Sequence, residues 1–302
     1  MLLEEVQQYE NLELLAKQVV EGFITGMHRS PFHGFSVEFA EHRPYNPGES
    51  TKNIDWKLFA RTDRIYTKRF EEETNLRCRL LLDVSSSMFF PEINLAKLKF
   101  SVLAAASICN LLYRQRDAFG LTTFSDKIRH QTPARSSRAH LQEVLQTLQP
   151  YWNLKKAPEQ PENTQIAHCL EQIAITQHRR SLVVIFTDMF ENQADDEKIW
   201  NAIQQIKFAK NEIILFHVQH APQELQFEFD NKPTRFIDTE TGEQVLLNPA
   251  EIKDAYLAQI SSMEKRIKER CLQYSIDFYP IDVSREFDQV LLPFYLKRMK
   301  MT

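Results

Sequence analysis

From residue 77 onward, short apolar runs alternate with stretches in which apolar side chains recur every three or four positions. The short runs suit strands buried on both faces and the longer periodic stretches suit amphipathic helices, so the alternation predicts parallel strands joined by crossover helices. The predicted strands are CRLLLD (78 to 83), AFGLTTF (118 to 124), SLVVIFTD (181 to 188), EIILFHV (212 to 218) and SIDFYPI (275 to 281). Between the first two, Leu95, Leu98, Val102, Ala105, Cys109 and Leu112 form one apolar stripe, and Pro91 and Glu92 suit the first turn of the helix that carries it. Further helices are expected over 137 to 148, 164 to 178, 195 to 209, 249 to 273 and 286 to 300. The expected fold is α/β, a doubly wound, mostly parallel central sheet flanked by helices.

Two regions break the rhythm. Residues 222 to 248 alternate apolar and polar side chains around turn signals at Asp230-Asn231 and Thr241-Gly242, which predicts a small antiparallel insertion. Residues 1 to 76 begin with an amphipathic helix and continue through a stretch rich in Pro, Arg and aromatic residues. The chain therefore divides into an N-terminal extension, 1 to 76, and an α/β domain, 77 to 302.

Composition narrows the possible functions. A chain of 302 residues with 43% hydrophobic content can bury a substantial core. Its formal charge of -4, from 37 basic and 41 acidic residues, gives no global attraction to nucleic acid or anionic lipid. The N-terminal MLLEEVQQYENLELLAK carries acids where an export signal carries bases. The most apolar long segment, FSVLAAASICNLLY at 100 to 113, is shorter than the ~20 residues a membrane span needs. We expect a cytoplasmic chain with no direct membrane insertion. Cys78, Cys109, Cys169 and Cys271 are far apart in sequence, lie in apolar contexts and form no CxxC pair, which suits reduced core residues. Only six glycines occur and neither GxGxxG nor GxxxxGK[ST] is found, so the usual phosphate-cradling loops are missing.

The chemistry concentrates in RLLLDVSSSMFF, residues 79 to 90, where an apolar strand ends in Asp83 followed by Ser85 and Ser87 at alternate positions. Ligands of open α/β sheets gather beyond the carboxyl ends of the strands. A loop curling over that end can turn the carboxylate and both hydroxyls toward one point, an all-oxygen set suited to Mg²⁺, with Mn²⁺ and Ca²⁺ as alternatives. The competing reading makes the serines helix caps and Asp83 a turn residue. A second strand, SLVVIFTD, ends in Asp188, and parallel neighbours would bring that carboxylate close to Asp83. Two buried carboxylates repel unless a cation or proton lies between them. Thr164, just before the next predicted helix, suits either a cap or a cation site, and His168 four residues later could face the same point.

These residues resemble von Willebrand factor type A domains, whose metal-ion-dependent adhesion site combines Asp-x-Ser-x-Ser, a threonine from a later loop and an aspartate at a later strand end. The resemblance implies that Ser85, Ser87 and Thr164 ligate Mg²⁺ by hydroxyl oxygen while Asp83 and Asp188 act largely through bound water. Such an ion keeps a coordination position for an acidic group on a partner. Residues 35 to 73 are similar to the signature of the bacterial family DUF 58. Glu41, Arg43, Tyr45, Pro47, Gly48 and Glu49 match its first segment and Ile54, Asp55, Trp56, Ala60, Arg61 and Thr62 the rest; DTETGE at 238 to 243 is also similar. Two positions depart, Ser50 where the family often has an acid and Met189 where adhesion-type domains often have glycine.

The resemblance implies an adaptor or co-chaperone that works with a MoxR-type AAA+ ATPase, beside other von Willebrand factor A-type proteins, in stress tolerance or protein-complex maturation. A metal-dependent hydrolase at the same site and a scaffold with a degenerate site are the alternatives. Catalysis is the weaker reading, because the histidines form no HExxH spacing and GxSxG is missing. Arg43, Arg61, Arg64, Lys68 and Arg69 with Tyr45, Trp56 and Tyr66 have the makings of a nucleic-acid surface. Glu71, Glu72 and Glu73 oppose that field, and structural bracing by Asp55, Trp56 and Arg61 is the expected use, with no nucleic-acid partner.

Overall fold

The computed structural model describes residues 9–29, 42–44, 56–68, 76–157, 165–176, 179–188, 196–238, 242–287 and 292–294. They form two compact units, Met1–Phe23 with Leu76–Thr302, and Ile24–Asn75. The first helix, α1 (Leu12–Arg29), begins in the larger unit. There the Leu12 amide donates to Gln149 Oε1 at 3.2 Å and the Trp152 indole to the Tyr9 carbonyl at 2.8 Å. The start of the predicted extension is thus tied to the α/β core. The smaller unit holds β1 (His42–Pro44), α2 (Trp56–Thr62) and β2 (Tyr66–Lys68), with β1 and β2 antiparallel.

The larger unit continues through β3 (Arg77–Asp83), α3 (Ala96–Arg114), β4 (Ala118–Phe124), β5 (Ile128–Gln131), α4 (Arg138–Asn153), α5 (Ile166–Thr176) and β6 (Leu182–Thr187). It then runs through α6 (Asp196–Phe208), β7 (Glu212–Gln219), β8 (Thr234–Ile237), β9 (Gln244–Leu247), α7 (Pro249–Gln273) and β10 (Asp277–Asp282). Six strands make one sheet in the order β10-β7-β6-β3-β4-β5, parallel except for β5. β8 and β9 form the separate antiparallel pair expected of the insertion. All five predicted parallel strands are present. The edge strand β5 escaped the pattern because its short sequence, IRHQ, is polar and only half-buried.

The sheet is doubly wound because the chain leaves β3 toward β4 on one side and later returns to β6 on the other. Residues such as Leu81, Val183, Ile185, Ile213 and Leu215 face a core closed by side chains of α5, α6 and α7. Helix α3 covers the opposite face and is buried nearly all round, so its apolar stripe is only part of its buried surface. Among the described residues it is the one helix long and apolar enough to cross a bilayer, and it lies inside the protein. All four cysteines are buried thiols.

Local sequence alone misplaced the start of α3. The expected first turn at Pro91 and Glu92 lies before it; a short 3-10 turn (Ser86–Phe89) and a further turn intervene, and Leu95, in the left-handed region at φ 52°, precedes Ala96. Helix α4 extends to Asn153 through Pro150, and Ser137 caps it by accepting from the His140 amide at 3.2 Å. Of the predicted 286 to 300 helix, residues 292–294 are helical and most of the remainder lies outside the described residues.

The β4 edge of the core is closed by the segment after β5. Buried Arg79 donates to the Thr132 carbonyl at 2.8 Å, and Phe119 and Arg135 exchange backbone hydrogen bonds. Gly120 sits beneath this segment, where a β-carbon would lie 2.9 Å from the Thr132 oxygen and 3.2 Å from two Pro133 backbone atoms. Gly120→Ala must therefore move backbone, and we expect it to destabilise the fold by about 1–3 kcal/mol, read from the urea midpoint at unchanged slope. An unaltered midpoint would refute this account of the edge.

Candidate metal centre

The strand order creates one topological switch point, between β3 and β6, and both candidate carboxylates lie at its carboxyl end. Register pairs Leu82 with Phe186, so the next residues along, Asp83 and Thr187, face each other. The Thr187 hydroxyl donates to Asp83 Oδ2 at 2.7 Å, and the Ser85 amide donates to Asp83 Oδ1 at 2.9 Å. Asp83 thus serves the local turn and the strand junction together.

From that turn the serine side chains run toward Asp188, which Ser87 reaches directly. Ser85 Oγ lies 3.1 Å from Ser87 Oγ, and the Ser87 hydroxyl donates to Asp188 Oδ1 at 3.1 Å. Neither serine caps a helix through its side chain: Ser85 precedes the 3-10 turn without a capping hydrogen bond, and Leu95 occupies the cap position of α3. Asp83, Ser85, Ser87 and Asp188 are all buried. The structure brings these four predicted residues together. Thr164 lies outside the described residues; its successor, Gln165, donates its backbone amide to the Ser125 carbonyl, just past the carboxyl end of β4, at 3.2 Å. His168 is exposed and pairs with Gln172 at 2.9 Å.

Sequence reasoning missed three side chains here. Lys97, from the first turn of α3, donates to Asp188 Oδ2 at 2.8 Å and to Glu224 Oε1 at 2.6 Å. Glu224 stands in a π-helical turn, Ala221–Leu225, that leads into the insertion. From β7, the His217 Nε2–H donates to the Asp188 carbonyl at 2.8 Å. A histidine inside the otherwise apolar IILFHV and a lysine in a buried helix were the available signals; Glu224, in a polar stretch of the insertion, offered none.

Electrostatics follow from burial. Burial and the neighbouring Asp188 charge push the Asp83 carboxyl up to about 7, against the hydrogen bonds from Thr187 and Ser85. Burial pushes Glu224 up as well, opposed by Lys97. For Lys97, burial would lower the ammonium pKa, but Asp188 and Glu224 outweigh it and leave the pKa raised. Burial holds His217 below its ordinary value, which keeps the ring neutral as a donor to Asp188. Two carboxylates, Asp188 and Glu224, therefore share one buried ammonium, and Asp83 lies beside Asp188.

The donor set fits a hard cation. Mg²⁺ holds ligand oxygens at about 2.0–2.1 Å in an octahedron, so adjacent ligands stand about 3 Å apart. The 3.1 Å spacings from Ser85 to Ser87 and from Ser87 to Asp188 match that edge. Among the described residues no three His, Cys, Asp or Glu side chains form a metal-ligating group.

A family model described as "Protein of unknown function DUF58" matches residues 41–266. The chain belongs to this DUF58 family. An uncharacterized protein of Mycobacterium tuberculosis, Rv1480, is 27% identical over 179 residues, covering 59% of this chain and 55% of that one. The chain spans about half the length of these curated relatives. Among solved structures, BatB from Bacteroides thetaiotaomicron is 13% identical, covering 75% of this chain and all of that one, with a TM-score of 0.46. A von Willebrand factor type A protein from Catenulispora acidiphila is 13% identical, covering 51% and 34%, with a TM-score of 0.33. The expected α/β architecture of this DUF58 protein stands on its own strand order. In the signature, Arg61 and Arg64 are exposed, so Arg61 is no buried brace; Asp55 and the side chain of Trp56 lie outside the described residues.

Asp83 links the site to pH. Its folded pKa, raised to about 7, exceeds the ordinary carboxylate value, so the folded state binds the proton more tightly than the unfolded chain. The stability it contributes is full below the unfolded pKa and is lost as pH rises through 7. Asp83→Asn removes that loss. In metal-free buffer its stability relative to wild type should rise from pH 5 to pH 8 by on the order of 2 kcal/mol in urea unfolding. A difference independent of pH would contradict the ionisation account.

Proposed function

We propose that this DUF58 protein is a metal-dependent protein-interaction module rather than an enzyme. Ser85, Ser87 and Asp188, ordered by Asp83 and joined by Thr164, would hold Mg²⁺, with Mn²⁺ or Ca²⁺ as alternatives. The bound cation would supply electrostatic attraction for an acidic side chain on a partner protein. The observation that carries this reading is the excess of buried carboxylate near the switch point among the described residues: Asp83, Asp188 and Glu224 against the Lys97 ammonium, which pairs with Asp188 and Glu224. A divalent cation neutralises that excess when all three are ionised, and two hydroxyls stand at ligand spacing beside it.

This chain's own groups prepare the site. Asp83 holds the Ser85 backbone and Thr187, which fixes the loop carrying both hydroxyls. His217 fixes the Asp188 backbone, which leaves the Asp188 side chain to face Ser87 on one oxygen and Lys97 on the other. A binding role is favoured over hydrolysis because His217 is committed to a carbonyl and His168 to Gln172 at the surface. The role we assign is that of a cytoplasmic adaptor or co-chaperone. It would work with a MoxR-type AAA+ ATPase and other von Willebrand factor A-type proteins in stress tolerance or protein-complex maturation.

Calorimetric titration of Mg²⁺ or Mn²⁺ should give saturable heat with the wild type and none with Asp83→Ala; equal heats in both would remove the metal from the proposal. Capture of a purified MoxR-type ATPase should be lost on adding chelator. Capture that resists chelator would remove the metal from the contact.

A further inference from the structure

Lys97 and Glu224 are buried charges that metal ligation by itself does not use. Their ion pairs continue the line of contacts beyond Asp188: Ser85 to Ser87, Ser87 to Asp188, Asp188 to Lys97, and Lys97 to Glu224. The second Glu224 oxygen accepts from the His220 amide, which anchors the carboxylate to the turn entering the insertion. Phe90 closes the line, with the Lys97 ammonium 5.6 Å from its ring centroid and the His220 ring edge-on to it at 6.2 Å. A buried ammonium is tolerated only where carboxylates compensate its desolvation. Here one compensating carboxylate is a candidate ligand and the other comes from the insertion.

We infer that Lys97 is a positioning residue of the metal centre and that Glu224, acting through Lys97, makes the insertion at 222–248 a tuning element of that centre. The inference rests on the binding reading above. Lys97 engages Asp188 Oδ2 and leaves Oδ1 toward the serine hydroxyls. Its positive charge weakens cation binding, and Glu224 offsets that charge. The two side chains therefore act with opposite signs. Removing the Glu224 charge leaves Lys97 to oppose the cation and loosens the turn at 221–225, whereas removing the Lys97 charge deepens the negative field.

Mg²⁺ affinity of the full chain, read by calorimetry, separates this from a plain structural ion pair. Glu224→Gln should weaken Mg²⁺ binding roughly tenfold or more, and Lys97→Met should tighten it by a similar factor. The double variant, which keeps the net charge of the wild-type cluster, should return toward wild-type affinity. Hydrogen exchange of metal-free Glu224→Gln should also rise at residues 220–226, a readout available even if Lys97→Met does not fold. Singles that both weaken binding, or a Glu224→Gln variant with unchanged affinity and exchange, would overturn the tuning role while leaving the metal centre in place. A wild type that takes up no Mg²⁺ would instead overturn the binding reading, and this role with it.

Discussion

Like charges buried at one point repel, and that constraint organises the carboxyl end of this sheet. Asp83 ends β3 and Asp188 follows β6, adjacent strands whose parallel pairing leaves little distance between the two carboxylates. Each surrounding feature eases that repulsion. Thr187 and the Ser85 amide solvate Asp83, Ser87 and Lys97 solvate Asp188, and the proton affinity of Asp83 rises. A group held this way weakens the fold in its ionised form, which is the expected mark of a site shaped for something other than stability.

The fold makes the constraint unavoidable and also useful. A doubly wound sheet gathers ligands where the chain changes winding direction, and here that change falls between β3 and β6. The loop after β3 stays close to the strand end through the 3-10 turn, so α3 begins late and presents Lys97 from its first turn. Were α3 to start at Pro91, the lysine would lie further along the helix. The late start and the ion pair of Lys97 with Glu224 belong to one arrangement.

The insertion has a similar double character. Its strands β8 and β9 form a sheet of their own, and Phe227, Phe229, Phe236 and Tyr256 cluster around its base. At its entrance, Glu224 joins the buried charges. A segment that sequence alone presents as an appended hairpin is, at that one residue, part of the centre.

Periodicity and strand-end chemistry were enough to place all five parallel strands, the core helix after β3 and the set Asp83, Ser85, Ser87 and Asp188, because buried parallel strands and alternating hydroxyls leave local marks. β5 left none, being a short polar edge strand. Lys97 lies more than a hundred residues before His217 and Glu224, which come from β7 and the turn that follows it, and their meeting depends on strand order, on where α3 starts and on the path of that turn. Sequence determined that an acidic, hydroxyl-rich strand end exists; tertiary structure decided how many buried charges share it, because charge balance is a property of the space between elements.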